Sequence, residues 1–121
     1  MTTIAIKRIY EDPSPDDGCR IYIDRLWPRG LKRDEAAFDT WCKDVSPSDA
    51  LRKRFGHDPK KWKSFIKDYE AELSEHPDAC GPLLDAAKRG KLTLLYSAKD
   101  EEHNNAVVLQ QYLERRLAKP A

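Results

Sequence analysis

The chain lacks any uninterrupted apolar run of the ~18 residues that a membrane-spanning helix requires. It also lacks an excess of either charge, since 22 basic residues stand against 21 acidic ones for a formal net charge of +1. Nucleic-acid binders usually carry a basic excess or a basic stripe, so nucleic acid is not a favoured partner. Cysteine is scarce: Cys19, Cys42 and Cys80 are odd in number and widely spaced. That excludes a disulfide scaffold and fits a reduced, cytoplasmic setting. No CxxC or HxxxH pattern offers metal ligands, so no metal site is expected. The opening MTTIAIKRIY has no apolar signal core, which again points to the cytoplasm. Repeats, low-complexity tracts and interdomain linkers are absent too. The expectation is one α/β domain over residues 1–117 with a frayed tail at 118–121.

What the chain does contain is a set of short apolar runs and capped helices. Residues 4–9 (IAIKRI) are β-branched and read as a strand. Residues 11–18 (EDPSPDDG) are turn-rich. Residues 19–26 (CRIYIDRL) fit two periods, and Ser14 with Asp17 can form a capping box for a helix there. The Ile-Tyr-Ile centre and the preceding Asp-Gly favour a strand. WPRG at 27–30 reads as a turn, 33–37 as a short helix and TWCKDV at 40–45 as a strand. Ser46-Pro47-Ser48-Asp49 then predicts a helix capped by Ser46, with Pro47 first inside it, ending at Gly56. Asp58-Pro59 opens the next helix, whose stripe is Trp62, Phe65, Ile66, Tyr69 and Leu73. A further helix spans about 79–89, then a strand 92–96, then a helix from about 101 to 117 capped by Asp100. Strands separated by helices favour a small layered, Rossmann-like α/β domain with a short, mostly parallel sheet and flanking helices.

Residues 92–105 (LTLLYSAKDEEHNN) carry the strongest functional signal. A buried strand entering a helix through a short polar loop is where α/β proteins commonly hold ligands. Ser97, Lys99, Asp100, His103 and Asn104 fall there. Capping explains Asp100, and the helix dipole explains Glu101 and Glu102. Neither explains Lys99, His103 or the asparagines. Asp24-Arg25-Leu26-Trp27-Pro28-Arg29-Gly30 follows another strand. Arg25 and Arg29 can grip a phosphate or carboxylate, and Gly30 permits close backbone approach. Trp27 can stack on a planar ligand, although a core indole is the commoner outcome.

Lys43 and Asp44 close the 40–45 run, where Asp44 can serve as a base. Cys42 as a nucleophile would need a lowered pKa, and its strand neighbour Lys43 faces the other way. In Phe55-Gly56-His57-Asp58-Pro59 capping accounts for all but His57, which either staples onto Trp62 or reaches the site. Lys60, Lys61, Lys63 and Lys67 give the following helix a basic face, the feature a helix-turn-helix reader would need.

Taken in order, YIDRLWPRGL, WCKDVSPSDALRKRFGHDPKKW and LTLLYSAKDEEHNNAVVLQQYL resemble the YeaO-like proteins, a bacterial family carrying a domain of unknown function. The resemblance runs from Ile6 to Leu113 and implies a small cytoplasmic α/β domain. Its usual pattern has a bulky residue at position 19 and often Leu at 42, which argues against shared cysteine chemistry. The resemblance brings no established activity. The residues themselves lead to an enzyme or enzyme-like binder of a small anionic or nucleotide-like ligand at the strand ends. Arg25, Trp27, Arg29, Gly30, Lys43, Ser97, His103 and Asn104 would bind it. Asp24, Asp44, Lys99 and Asp100 would act in hydrolysis or group transfer. The alternative is a non-catalytic nucleic-acid-binding or regulatory module. No cofactor, oligomeric state or membrane partner is named by the sequence.

Overall fold

The computed structural model describes residues 4–56 and 58–118. Its centre is β4 (Leu92–Tyr96), buried at every position. β1 (Ile4–Arg8) pairs with one edge of β4, with Ile4 opposite Leu92, and β2 (Cys19–Tyr22) pairs with the other, with Ile21 opposite Leu94. The two-residue β3 (Thr40–Trp41) continues beyond β2. All pairings are parallel, in the order β1-β4-β2-β3. The helices are α1 (Asp49–Phe55), α2 (Trp62–Glu75), α3 (Gly81–Arg89) and α4 (Asn105–Ala118). No helix of the described residues is long and apolar enough to cross a membrane.

Successive strand residues point to opposite faces. Ile4, Ile21, Ile23, Leu92, Leu94 and Tyr96 enter the main core, which the buried residues of all four helices complete. From α2 come Phe65, Tyr69 and Leu73, while Trp62 and Ile66 pack half-buried at its border. The opposite face carries Ile9, Tyr22 and Leu95, covered by Leu31, Phe38 and Trp41. Parallel sheets are usually helix-covered on both faces. Here loop chain takes the place of the second helical layer. It is pinned by Asp17, which pairs with Lys7 and the buried Arg20 and whose carbonyl accepts from Thr93 Oγ1 at 2.6 Å.

Both signals in residues 14–23 prove real. Ser14 and Asp17 form the capping box, but of a single 3-10 turn at Pro15–Asp17, and β2 follows it. Three boundaries depart from the sequence reading. The third strand ends at Trp41, because Lys43–Val45 forms a 3-10 turn instead of extending it. Helix α1 is capped by Ser48, whose hydroxyl accepts from Leu51 N at 3.2 Å, and not by Ser46. The Ser46 hydroxyl donates to the Lys43 carbonyl at 2.7 Å instead. Helix α4 starts at Asn105, and its first turn is capped by Asn104, which accepts from Val107 N at 3.1 Å. The segment 33–37 holds a 3-10 turn at Arg33–Glu35. Ala118 belongs to α4; residues 119–121 and His57 lie outside the described residues.

Candidate functional site

The C-terminal ends of β1, β2 and β4 open into one cleft of about 910 Å3. Chain leaving β2 runs toward β3, while chain leaving β4 runs into α4, which packs on β1. Such divergence opens a crevice beyond the strand ends, the usual ligand position in parallel α/β folds. Asp24 bridges it. One carboxylate oxygen accepts from Ser97 N (2.9 Å) and Ser97 Oγ (2.6 Å), and the other from Asn105 Nδ2 (2.9 Å). Asp24 thus ties the end of β2 to the β4 loop and to the start of α4. Its oxygens serve as a brace, each accepting from a residue beyond β4.

Arg8, which the sequence reading passed over as a strand residue, makes the matching tie from β1. Its Nε donates to Ala98 O at 2.9 Å and an Nη to Ser97 O at 3.3 Å, while the guanidinium lies 4.9 Å from the Tyr10 ring centroid. Tyr10 in turn donates to Arg29 O at 2.8 Å and so holds the 24–31 loop across the opening. Three further aromatic donors fix that loop. Tyr22 donates to Leu26 O (2.8 Å), Trp41 to Asp24 O (2.7 Å) and Trp27 to Leu31 O (2.6 Å). Trp27 stands edge-on to Phe38 and Trp41 and stays 36% exposed, so it is a cleft-wall residue and not the core indole the sequence favours.

Six cationic side chains line this cleft: Arg8, Arg25, Arg29, Arg52, Lys53 and Lys99. Only two carboxylates join them, Asp24 and Asp100. Arg25 and Arg52 both approach Asp49 at the start of α1, at 3.9 and 3.0 Å. The Arg29 guanidinium and the Lys99 ammonium have no ion-pair partner among the described residues. Asp100 accepts from the Glu102 and His103 amides, each at 2.9 Å. Those amides, and then the His103 ring, hold its carboxyl below the usual range. Asp100 therefore caps the loop before α4, not the helix itself. His103 Nδ1 lies 3.0 Å from the second Asp100 oxygen, and its ring meets Trp62 edge-on. Ser97 and the buried Asn104 also line the cleft, but the Ser97 hydroxyl is given to Asp24 and the Asn104 amide to the Asp100 carbonyl.

Three sequence candidates fall elsewhere. Lys43 and Asp44 line a neighbouring cleft of about 570 Å3, with Glu72, Glu75 and His76, because the 3-10 turn carries them off the strand end. Arg25 and Ser46 touch both clefts. Gly30 lines neither; its φ of 78° places it in the left-handed region, which accounts for glycine without a ligand. Burial raises the pKa of all three cysteine thiols, and Asp44 adds to the effect at Cys42. They are protonated at neutral pH and poor nucleophiles. Among the described residues no group of three or more His, Cys, Asp or Glu side chains could hold a metal ion.

The family model described as the inactive DUF488-N3 subclade matches residues 3–121. Escherichia coli K12 has a similar chain named uncharacterized protein YeaO. It is 44% identical over 110 residues, covering 91% of this chain and 96% of the relative. An uncharacterized protein of Mycobacterium tuberculosis H37Rv is 36% identical over 115 residues, covering 95% of this chain and 97% of the relative. No solved structure matches. The four parallel strands, their order and the motifs at their ends are thus those of a chain that belongs to the YeaO-like DUF488 family.

Proposed function

We propose that the protein is a non-catalytic binder of a small organic anion, held at the C-terminal ends of β1, β2 and β4. The carrying observation is charge placement. The chain is near neutral, yet six cations face two carboxylates around one cleft, and both carboxylates are occupied by hydrogen bonds within the protein. Concentrated like charge at a concave site attracts an oppositely charged ligand. The volume of about 910 Å3 falls within the small-ligand range of about 300–1,000 Å3. The subclade's printed description as inactive supports the non-catalytic reading, as do thiols that burial keeps protonated.

The test is a melting screen against phosphate, pyrophosphate, sugar phosphates and nucleoside phosphates. A true ligand at a hundredfold excess over its Kd should add about 2.7 kcal/mol. Arg29→Ala and Lys99→Ala should lose most of that gain. No response to any anion would remove the reading.

One observation favours a hydrolytic enzyme instead. Asp100 orients the His103 imidazole in the manner of a general base and its partner. Turnover of a phosphate or carboxylic ester that disappears in His103→Gln would decide for that reading.

A further inference from the structure

Among the described residues, the large apolar side chains exposed at the surface are Tyr10 (39%), Leu26 (61%) and Trp27 (36%), and all of them line the cationic cleft. Exposed apolar groups gathered at one concave site mark a ligand or partner surface. Two of them are aromatic and both are held in place. The Tyr10 hydroxyl is tied to Arg29 O, and the Arg8 guanidinium lies over its ring. Trp27 is tied through Nε1 to Leu31 O and braced edge-on by Phe38 and Trp41. A small anion such as phosphate has no use for these surfaces. A ligand with a flat ring beside its charged group would cover them.

Resting on the anion-binding reading, we infer that the ligand is a nucleoside phosphate. Its base packs on the Trp27–Tyr10–Leu26 wall, and its phosphate meets Arg29 and Lys99. Aromatic stacking is tolerant of base identity and strengthens binding per base by roughly tenfold or more. Because both rings are already held, little side-chain freedom is lost when the base arrives. The cleft's volume of about 910 Å3 and the near-neutral chain favour one nucleotide over a polynucleotide, which would need a basic groove tracking its backbone.

Isothermal titration with adenosine monophosphate, ribose 5-phosphate and inorganic phosphate separates the contributions. The parent should bind the nucleotide at least about tenfold tighter than ribose 5-phosphate. Trp27→Leu should collapse that ratio toward one while leaving ribose 5-phosphate affinity unchanged. Arg29→Ala should weaken both ligands equally and preserve the ratio. Melting curves of each variant check that it is folded; Tyr10→Leu replaces Trp27→Leu if the latter is not. Equal binding of the two phosphates by the parent overturns the base-stacking inference and leaves anion binding standing. Binding of none of the three overturns both. A ratio unchanged in Trp27→Leu and in Tyr10→Leu overturns the assignment of this wall. Tighter binding of a short oligothymidylate than of the mononucleotide overturns it in favour of single-stranded nucleic acid.

Discussion

Asp24 carries the most consequence per residue. Its two oxygens hold a backbone amide, a hydroxyl and a side-chain amide from residues 73 and 81 positions away. Hydrogen bonds to a charged group are worth about 1.5–3 kcal/mol. Asp24→Ala should lower the unfolding free energy in urea by that amount, and a loss under about 0.5 kcal/mol would mean the brace is dispensable. Arg29 and Lys99 should behave oppositely. Their charged ends have no ion-pair partner among the described residues, so alanine at either should leave stability within about 0.5 kcal/mol while the anion response is lost. The sequence marked Asp24, Arg29 and Lys99 as notable because each follows an apolar run. It could not separate brace from binder, since the separating partners lie far along the chain. Arg8 was illegible for the same reason: it looks like one more residue of a half-polar strand until Ser97 and Ala98 are placed beside it.

Elements were easier to read than their ends. Apolar periodicity located α2 and β4 because packing against a core enforces it. Phe65 shows the strength of that packing: it is 3% exposed and its ring centroid lies 4.5 Å from that of Phe55. Phe65→Ala should cost about 3–5 kcal/mol in urea unfolding. A cost below about 1 kcal/mol would make α2 peripheral. The starts of α1 and α4 were misread because each offers two good capping residues close together, Ser46 and Ser48 before α1 and Asp100 and Asn104 before α4. Tertiary contact chooses between them. Glu72 on α2 accepts from Ser48 N at 2.9 Å and Ser48 Oγ at 2.6 Å, which fixes Ser48 and leaves Ser46 to the preceding turn. Removing a true cap typically costs about 1 kcal/mol. Ser48→Ala should therefore destabilise by about 1 kcal/mol or more, since Glu72 also loses a partner. Ser46→Ala should leave α1 helicity unchanged by circular dichroism.

At the scale of the molecule the sheet is asymmetric, helical on one face and loop-covered on the other, and no periodic signal could announce the second cover. The same blindness hid the cleft's charge, because a net charge of +1 says nothing about where the cations gather. The loop layer depends on Asp17, and this makes its stability depend on pH. Burial pushes the Asp17 carboxyl up, but the Ser14 amide, then Arg20 and Lys7, outweigh it and leave the pKa below the ordinary value. The folded protein therefore binds fewer protons here than the unfolded chain between the lowered pKa and the unfolded value of about 3.9. Stability from this group is fully present above about pH 4 and is lost as the pH falls through the folded pKa. Arg20 sharpens the consequence. One of its buried guanidinium nitrogens has no hydrogen-bond partner among the described residues, so protonating Asp17 removes charge compensation from a largely buried cation. Asp17→Asn should be less stable than the parent at neutral pH. The difference should shrink as the pH is lowered, since the parent loses the same charge. Urea unfolding of both proteins from pH 7 to pH 2 measures this, and parallel stability curves would show that Asp17 does not couple the loop layer to protons.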